Sequence, residues 1–330
     1  MLNERQHLAA YEIHTVEAMT TSSRCCIHIG LPKTGTTTLQ RNVFELHPGL
    51  QYFGQTNAFS NDRAQLLLRS ILDDRDRSNL LPEARAASQE LRAQTKPLVV
   101  SDEALTMGSF MARAQTWDVP QDHGTIAERT RDLFDDADVF IVLRQQVDWL
   151  RSWHQQGLKS RRYVEPSFDD WFEGSFVARA ERLLALLDYE NLCDEYAAQF
   201  GADRVHVWLY EDYRDRFPDL AAEMATIGGF DAHQARSLAA APAQNVSDQG
   251  YRGIPRPLWK LLRSAPITRI ANVAPPMARR RMRSLLSTDL DFGEGPSARV
   301  SHEIMQGFTS SNRRLFEKLG LATAGTAPYL

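Results

Sequence analysis

Apolar residues along this chain collect into short runs of strand length, set between long segments that are polar or helix-like. Four runs stand out. Residues 25–30, 97–101, 138–143 and 204–210 are rich in Val, Ile, Leu, Phe and Cys, and each is bounded by polar or turn-forming residues. Runs of this length, apolar nearly throughout, predict strands buried on both faces. Alternation with helix-like segments predicts an α/β fold of three layers, a central parallel sheet with helices on both faces. At 330 residues the chain is long enough for one large α/β domain. The expected division is an N-terminal arm over 1–23, a single domain over 24–320, and a Gly/Ala/Thr/Pro tail over 321–330.

The first run leads into the most informative stretch, Ile27-His28-Ile29-Gly30-Leu31-Pro32-Lys33-Thr34-Gly35-Thr36-Thr37-Thr38-Leu39. A strand passing through a glycine turn into a helix can cradle an anion. Glycine lets the backbone approach closely, and the first N–H groups of a helix have no acceptor within it. Three consecutive threonines favour a helix poorly, which fits a hydroxyl-rich cradle better than a helix start chosen for stability. The common nucleotide triphosphate loop has lysine directly after its second glycine. Here Thr36 holds that place, and the lysine comes two residues before the glycine, at Lys33.

This displaced lysine, in PKTGTTTLQ, resembles the 5′-phosphosulfate loop of sulfotransferases that use PAPS (3′-phosphoadenosine 5′-phosphosulfate). The resemblance implies that Lys33, Thr34, Gly35, Thr36, Thr37 and Thr38 bind the cofactor. It also implies a second anion site for the 3′-phosphate, best placed at the end of a neighbouring parallel strand. Asp138–Leu143 is such a strand, with Arg144 at its carboxyl end and Ser152 eight residues further on, about two helical turns along. A guanidinium fork and a hydroxyl converging on one phosphate are chemically sound partners. The segment IVLRQQVDWLRSWHQQ is similar to the family's 3′-phosphate motif, except that Gln146 stands where many members have proline. A third, less specific likeness is Tyr210-Glu211-Asp212 after the last strand, which would put Tyr210 near the adenine. The resemblance spans about Cys25 to Phe230.

The chemistry implied is in-line sulfuryl transfer from PAPS as co-substrate to a hydroxyl, or as a second choice an amine, of a carbohydrate-type or other polar acceptor. Lys33 would neutralise charge growing on the leaving oxygen, and the phosphate leaving group needs no metal. A base must take the acceptor's proton. The strand over 97–101 ends in Ser101-Asp102-Glu103, and Glu103 is the first candidate, with Asp102 and His154 behind it. An ordinary role for Glu103 as an acid at a helix start stays open. A small-molecule kinase would want lysine in place of Thr36. A non-catalytic binder of adenosine bisphosphate or of an anionic surface would be expected to lack Lys33, Arg144 or Ser152, and all three are present.

The net charge is −4, yet Gln249 through Thr288 carries nine basic residues and no acid. An unneutralised run of this kind, with Trp259 and several leucines among the charges, is expected to face an anionic acceptor, a membrane surface or the 3′-phosphate. No apolar run reaches the ~20 residues of a membrane span, and no signal peptide is visible, so a cytoplasmic enzyme is expected. The three cysteines, Cys25, Cys26 and Cys193, form neither a disulfide framework nor a metal knuckle. Nucleic acid is not an expected partner.

Overall fold

The computed structural model describes residues 24–54, 61–108, 122–159, 167–175, 184–241, 295–321 and 324–330. In chain order they form β1 (Cys25–His28), α1 (Thr36–Thr38, running on as a π-helical turn over Leu39–Phe44), β2 (Gln51–Gly54), α2 (Asp62–Leu72), α3 (Arg77–Arg92), β3 (Leu98–Ser101), α4 (Ala104–Met107), α5 (His123–Arg131), β4 (Asp138–Leu143), α6 (Gln146–Lys159), α7 (Phe168–Asp170), α8 (Tyr189–Phe200), β5 (Val205–Leu209), α9 (Tyr210–Tyr213), α10 (Phe217–Gly228), α11 (Ala232–Ala239) and α12 (Ala298–Leu319).

The five strands make one parallel sheet in the order β2-β3-β1-β4-β5. Side chains alternate between its faces, as a strand requires. Cys25, Ile27, Leu98, Val100, Val139, Ile141, Leu143, Val205 and Leu209 join one core, packed with residues of α2, α5, α6, α8 and α12. Cys26, Val99, Phe140, Val142 and Trp208 join the other, under the π-helical turn, α10 and α11. The chain is therefore α/β with both sheet faces covered, and the four strands expected from the apolar runs are present with slightly trimmed ends.

One element was not anticipated. β2 was not evident as a strand: it is four residues long, at the edge of the sheet beside β3, and its register is set by Leu98–Ser101 rather than by its own composition. The described residues of the C-terminal tail dock against the domain. Residues Ala324–Tyr329 form a 3-10 turn. Tyr329 is fully buried, stands edge-on to Phe316 at 5.3 Å, and donates its hydroxyl to Glu211 Oε2 at 2.6 Å. The N-terminal arm and the basic segment 249–288 lie outside the described residues.

Candidate functional site

Because every strand is parallel, the loops after β1, β3, β4 and β5 open at the same end of the sheet, the end where α/β folds bind ligands. β1 lies between β3 and β4, so the glycine loop is flanked by Glu103 on one side and Arg144 on the other. Tyr210 follows β5, one strand further out.

The loop is tightly formed. Thr34 Oγ1 donates to the Leu31 carbonyl at 2.6 Å, and Gly35 has φ 85°, a conformation that glycine adopts freely. Leu39 N–H donates to the Gly35 carbonyl at 3.2 Å and Thr38 N–H to the same oxygen at 2.9 Å. The N–H groups of Gly35, Thr36 and Thr37 precede these bonds and, among the described residues, are the orphan donors of a helix start. Lys33 has φ 73°, the one positive φ outside glycine among the described residues. Two carbonyls of the loop are held from the β4–α6 side. Trp149 Nε1 donates to Pro32 O at 2.7 Å, and Arg144 Nη1 to Lys33 O at 2.9 Å.

The threonines do not form a uniform hydroxyl cradle. Thr34 is buried and bonded within the loop. Thr36 is buried as well, and its hydroxyl turns sideways to donate to Glu103 Oε1 at 2.5 Å. Thr37 and Thr38 are half-buried. Burial raises the Glu103 carboxyl above the ordinary carboxylate range. The Thr36 hydrogen bond and the charge of Lys33 act against that rise, and Asp102 adds to it. Asp102 itself is fully buried and accepts the Ala104 N–H at 2.9 Å. His154 is buried in aromatic packing, 4.9 Å from the Trp171 ring and 5.6 Å from Phe168.

On the other flank, the Arg144 guanidinium lies over the Tyr210 ring at 4.9 Å, and its Nε is buried with no acceptor among the described residues. Tyr189 donates to the Arg144 carbonyl at 2.6 Å. Ser152 is half-buried on α6, downstream of Arg144 as the spacing required. The structure thus gathers Lys33, Thr36, Glu103, Arg144 and Tyr210 around one loop, while His154 belongs to a separate aromatic cluster.

Sequence reading missed the residues that brace this site. Gln146, at the position that departs from the resembled motif, is fully buried; its Nε2 donates to Asn312 Oδ1 at 2.9 Å, and Asn312 Nδ2 returns a bond to Gln146 Oε1 at 3.3 Å. Glu211 accepts the Gln145 N–H at 2.9 Å and the Tyr329 hydroxyl, tying the turn after β4 to the C-terminal residues. Below the loop, Gln40 Nε2 donates to Ser101 Oγ at 3.0 Å and faces the Ser101 carbonyl at 3.5 Å. The same hydroxyl oxygen is hydrogen-bonded to His28 Nδ1, at 2.7 Å. His28 Nε2 is buried without a partner among the described residues, and burial lowers the ring's pKa to about 3. Gly30 is required above it, since a Cβ there would lie 2.6 Å from both the His28 ring and the Thr36 methyl. The departure of Gln146 from the proline pattern was the one visible signal for any of these.

No family model matches the chain, and no curated protein matches it. A solved structure does. The crystal structure of a sulfotransferase from Alicyclobacillus acidocaldarius matches over 91% of this chain and 97% of that one, with a TM-score of 0.52 and 15% sequence identity. The chain has a sulfotransferase-like fold. At this identity the likeness is one of architecture, and the roles of individual residues rest on the geometry above.

Proposed function

We propose that the protein is a PAPS-dependent sulfotransferase acting on a hydroxyl of a carbohydrate-type or other polar acceptor. The observation that carries this reading is a link across the ends of adjacent strands: the Arg144 guanidinium, after β4, donates to the backbone carbonyl of Lys33, in the loop after β1. One site fits a 5′-phosphosulfate and the other a 3′-phosphate. The residues present suit such a ligand. The loop offers the N–H groups of a helix start and a lysine, while Arg144 keeps a buried Nε without an acceptor among the described residues.

When bound, PAPS supplies the sulfuryl group. The chain's own contribution is positioning and charge. Gly35, Thr36 and Thr37 hold the 5′-phosphate through their N–H groups, and Lys33 brings a cation to the oxygen that becomes negative. Arg144 and Ser152 hold the 3′-phosphate, and Tyr210, stacked on Arg144, borders the nucleotide. Glu103 takes the acceptor's proton; burial raises its pKa above the ordinary carboxylate range, which makes it a stronger base than an exposed glutamate. Asp102 is committed to the Ala104 N–H and His154 to its aromatic cluster, which favours Glu103 over both. A kinase is disfavoured because Thr36 fills the lysine position and spends its hydroxyl on Glu103.

A cytoplasmic location belongs to the same proposal; no helix among the described residues is long and apolar enough to cross a membrane. The basic residues of 249–288 are proposed to meet an anionic acceptor.

The test is a thermal-shift comparison. Adenosine 3′,5′-bisphosphate should raise the melting temperature, and ATP with magnesium should do so much less, because ATP has no 3′-phosphate for Arg144. Equal shifts from the two nucleotides would overturn the two-site assignment.

A further inference from the structure

Thr36 occupies an unusual position between two parts of the site. Its N–H is one of the loop's orphan donors, facing the place of an anion, while its hydroxyl leaves the loop sideways and donates to Glu103 Oε1 at 2.5 Å. Its methyl group packs towards Gly30 and the His28 ring, which fixes which way the hydroxyl turns. Threonine has few χ1 choices to begin with, and burial of Thr36 at 2% exposure removes more. Glu103 is held from its own side as well. It opens α4, whose turn is closed by Met107 N–H donating to the Glu103 carbonyl at 2.9 Å.

We infer that Thr36 is the positioning residue for the base: one side chain registers the Glu103 carboxylate against the phosphate loop, so that one carboxylate oxygen is held by the hydroxyl and the other is left for the acceptor's proton. The distance between anion site and base is then set by the covalent geometry of a single residue. The inference rests on the proposed function for its catalytic meaning, but the Thr36–Glu103 link is observable without any turnover. A hydroxyl donating to a carboxylate favours the ionised form, in agreement with the lowering influence of Thr36 on a carboxyl that burial otherwise raises.

The experiment is a carbon-13 NMR titration of glutamate side-chain carboxyls, with Glu103→Gln used to assign the Glu103 signal. Thr36→Val keeps the shape and deletes the hydroxyl; Thr36→Ser keeps the hydroxyl and deletes the methyl. Loss of one charge-assisted hydrogen bond should raise the Glu103 pKa by about one unit in Thr36→Val, and Thr36→Ser should stay close to wild type. Binding of adenosine 3′,5′-bisphosphate, followed by calorimetry, should change less than about threefold in Thr36→Val, because the N–H that meets the anion is retained. An unchanged Glu103 titration in Thr36→Val would overturn the inference. So would a collapse of bisphosphate binding in Thr36→Val with the Glu103 titration unmoved, which would return the hydroxyl to the anion cradle. Failure of the wild-type protein to bind the bisphosphate at all would instead count against the proposed function, and the titration would still read the Thr36–Glu103 link.

Discussion

Arg144 donates through Nη1 to the carbonyl oxygen of Lys33 at 2.9 Å, and Lys33 is held at φ 73°. A left-handed conformation at a residue with a Cβ costs roughly 1 kcal/mol or more, so this bond stabilises a backbone shape that lysine would not choose alone. The residue expected to bind one phosphate thereby shapes the loop expected to bind the other.

Arg144→Ala should weaken binding of adenosine 3′,5′-bisphosphate by roughly tenfold to a hundredfold, the worth of a charge-assisted hydrogen bond of about 1.5–3 kcal/mol. Its preference over ATP should largely vanish. Calorimetric titration of both nucleotides against wild type and variant checks this; a variant that still discriminates between them would place the 3′-phosphate elsewhere.

Lys33→Ala should act on turnover far more than on product binding, since its charge matters most as the leaving oxygen becomes negative. Single-turnover kinetics with labelled PAPS, beside bisphosphate affinity, separates the two. EDTA should leave wild-type turnover intact. A strict requirement for added magnesium would contradict the scheme.

His28 makes stability sensitive to acid. Burial lowers its folded-state pKa to about 3, from an ordinary value of 6.5. Between those values the unfolded chain binds the proton and the folded protein does not, so this group's contribution to stability falls as pH drops from about 6.5 towards 3, by up to about 1.4 kcal/mol per pH unit. His123, lowered to about 4 by burial, adds to the same slope over a narrower window. Urea unfolding of wild type and His28→Gln from pH 7 to pH 4 should give a shallower decline in the variant; parallel curves would mean that His28 takes up its proton without unfolding.

Gln146 and Asn312 form a reciprocal amide pair in the core. Either Gln146→Ala or Asn312→Ala leaves a buried amide with fewer partners and should cost about 1–3 kcal/mol. The double variant should cost less than the sum, as contacting residues do. Additive losses in chemical denaturation would show that the two amides do not depend on each other.

Much of this architecture is legible in residues that act locally. The runs over 25–30, 97–101, 138–143 and 204–210 are apolar, short and bounded by polar or turn-forming residues, so four of the strands could be read directly, to within a residue or two at their ends. The loop was legible because Gly30 and Gly35 bracket Lys33. What could not be read depends on partners far away in the chain. The Gln51–Gly54 strand is defined by Leu98–Ser101, and Gln146 by Asn312. Tyr329 is fixed by Glu211. The direction of the Thr36 hydroxyl was equally hidden. Propensity says that three threonines make a poor helix, and α1 does last only Thr36–Thr38 before widening into a π-helical turn, but rotamers follow from neighbours such as Glu103 and Gly30.

The sheet order also bears on how the protein is born. β1 is the first of the described strands to be synthesised and lies in the middle of the sheet, between Leu98–Ser101 and Asp138–Leu143. Neither neighbour exists when Cys25–His28 leaves the ribosome, so an apolar strand with two unsatisfied edges waits for partners that arrive much later. Such long-range parallel pairing is slow and exposes sticky intermediates. Expression should therefore respond to temperature and to chaperone supply more than the packed core of the final structure alone would lead one to expect.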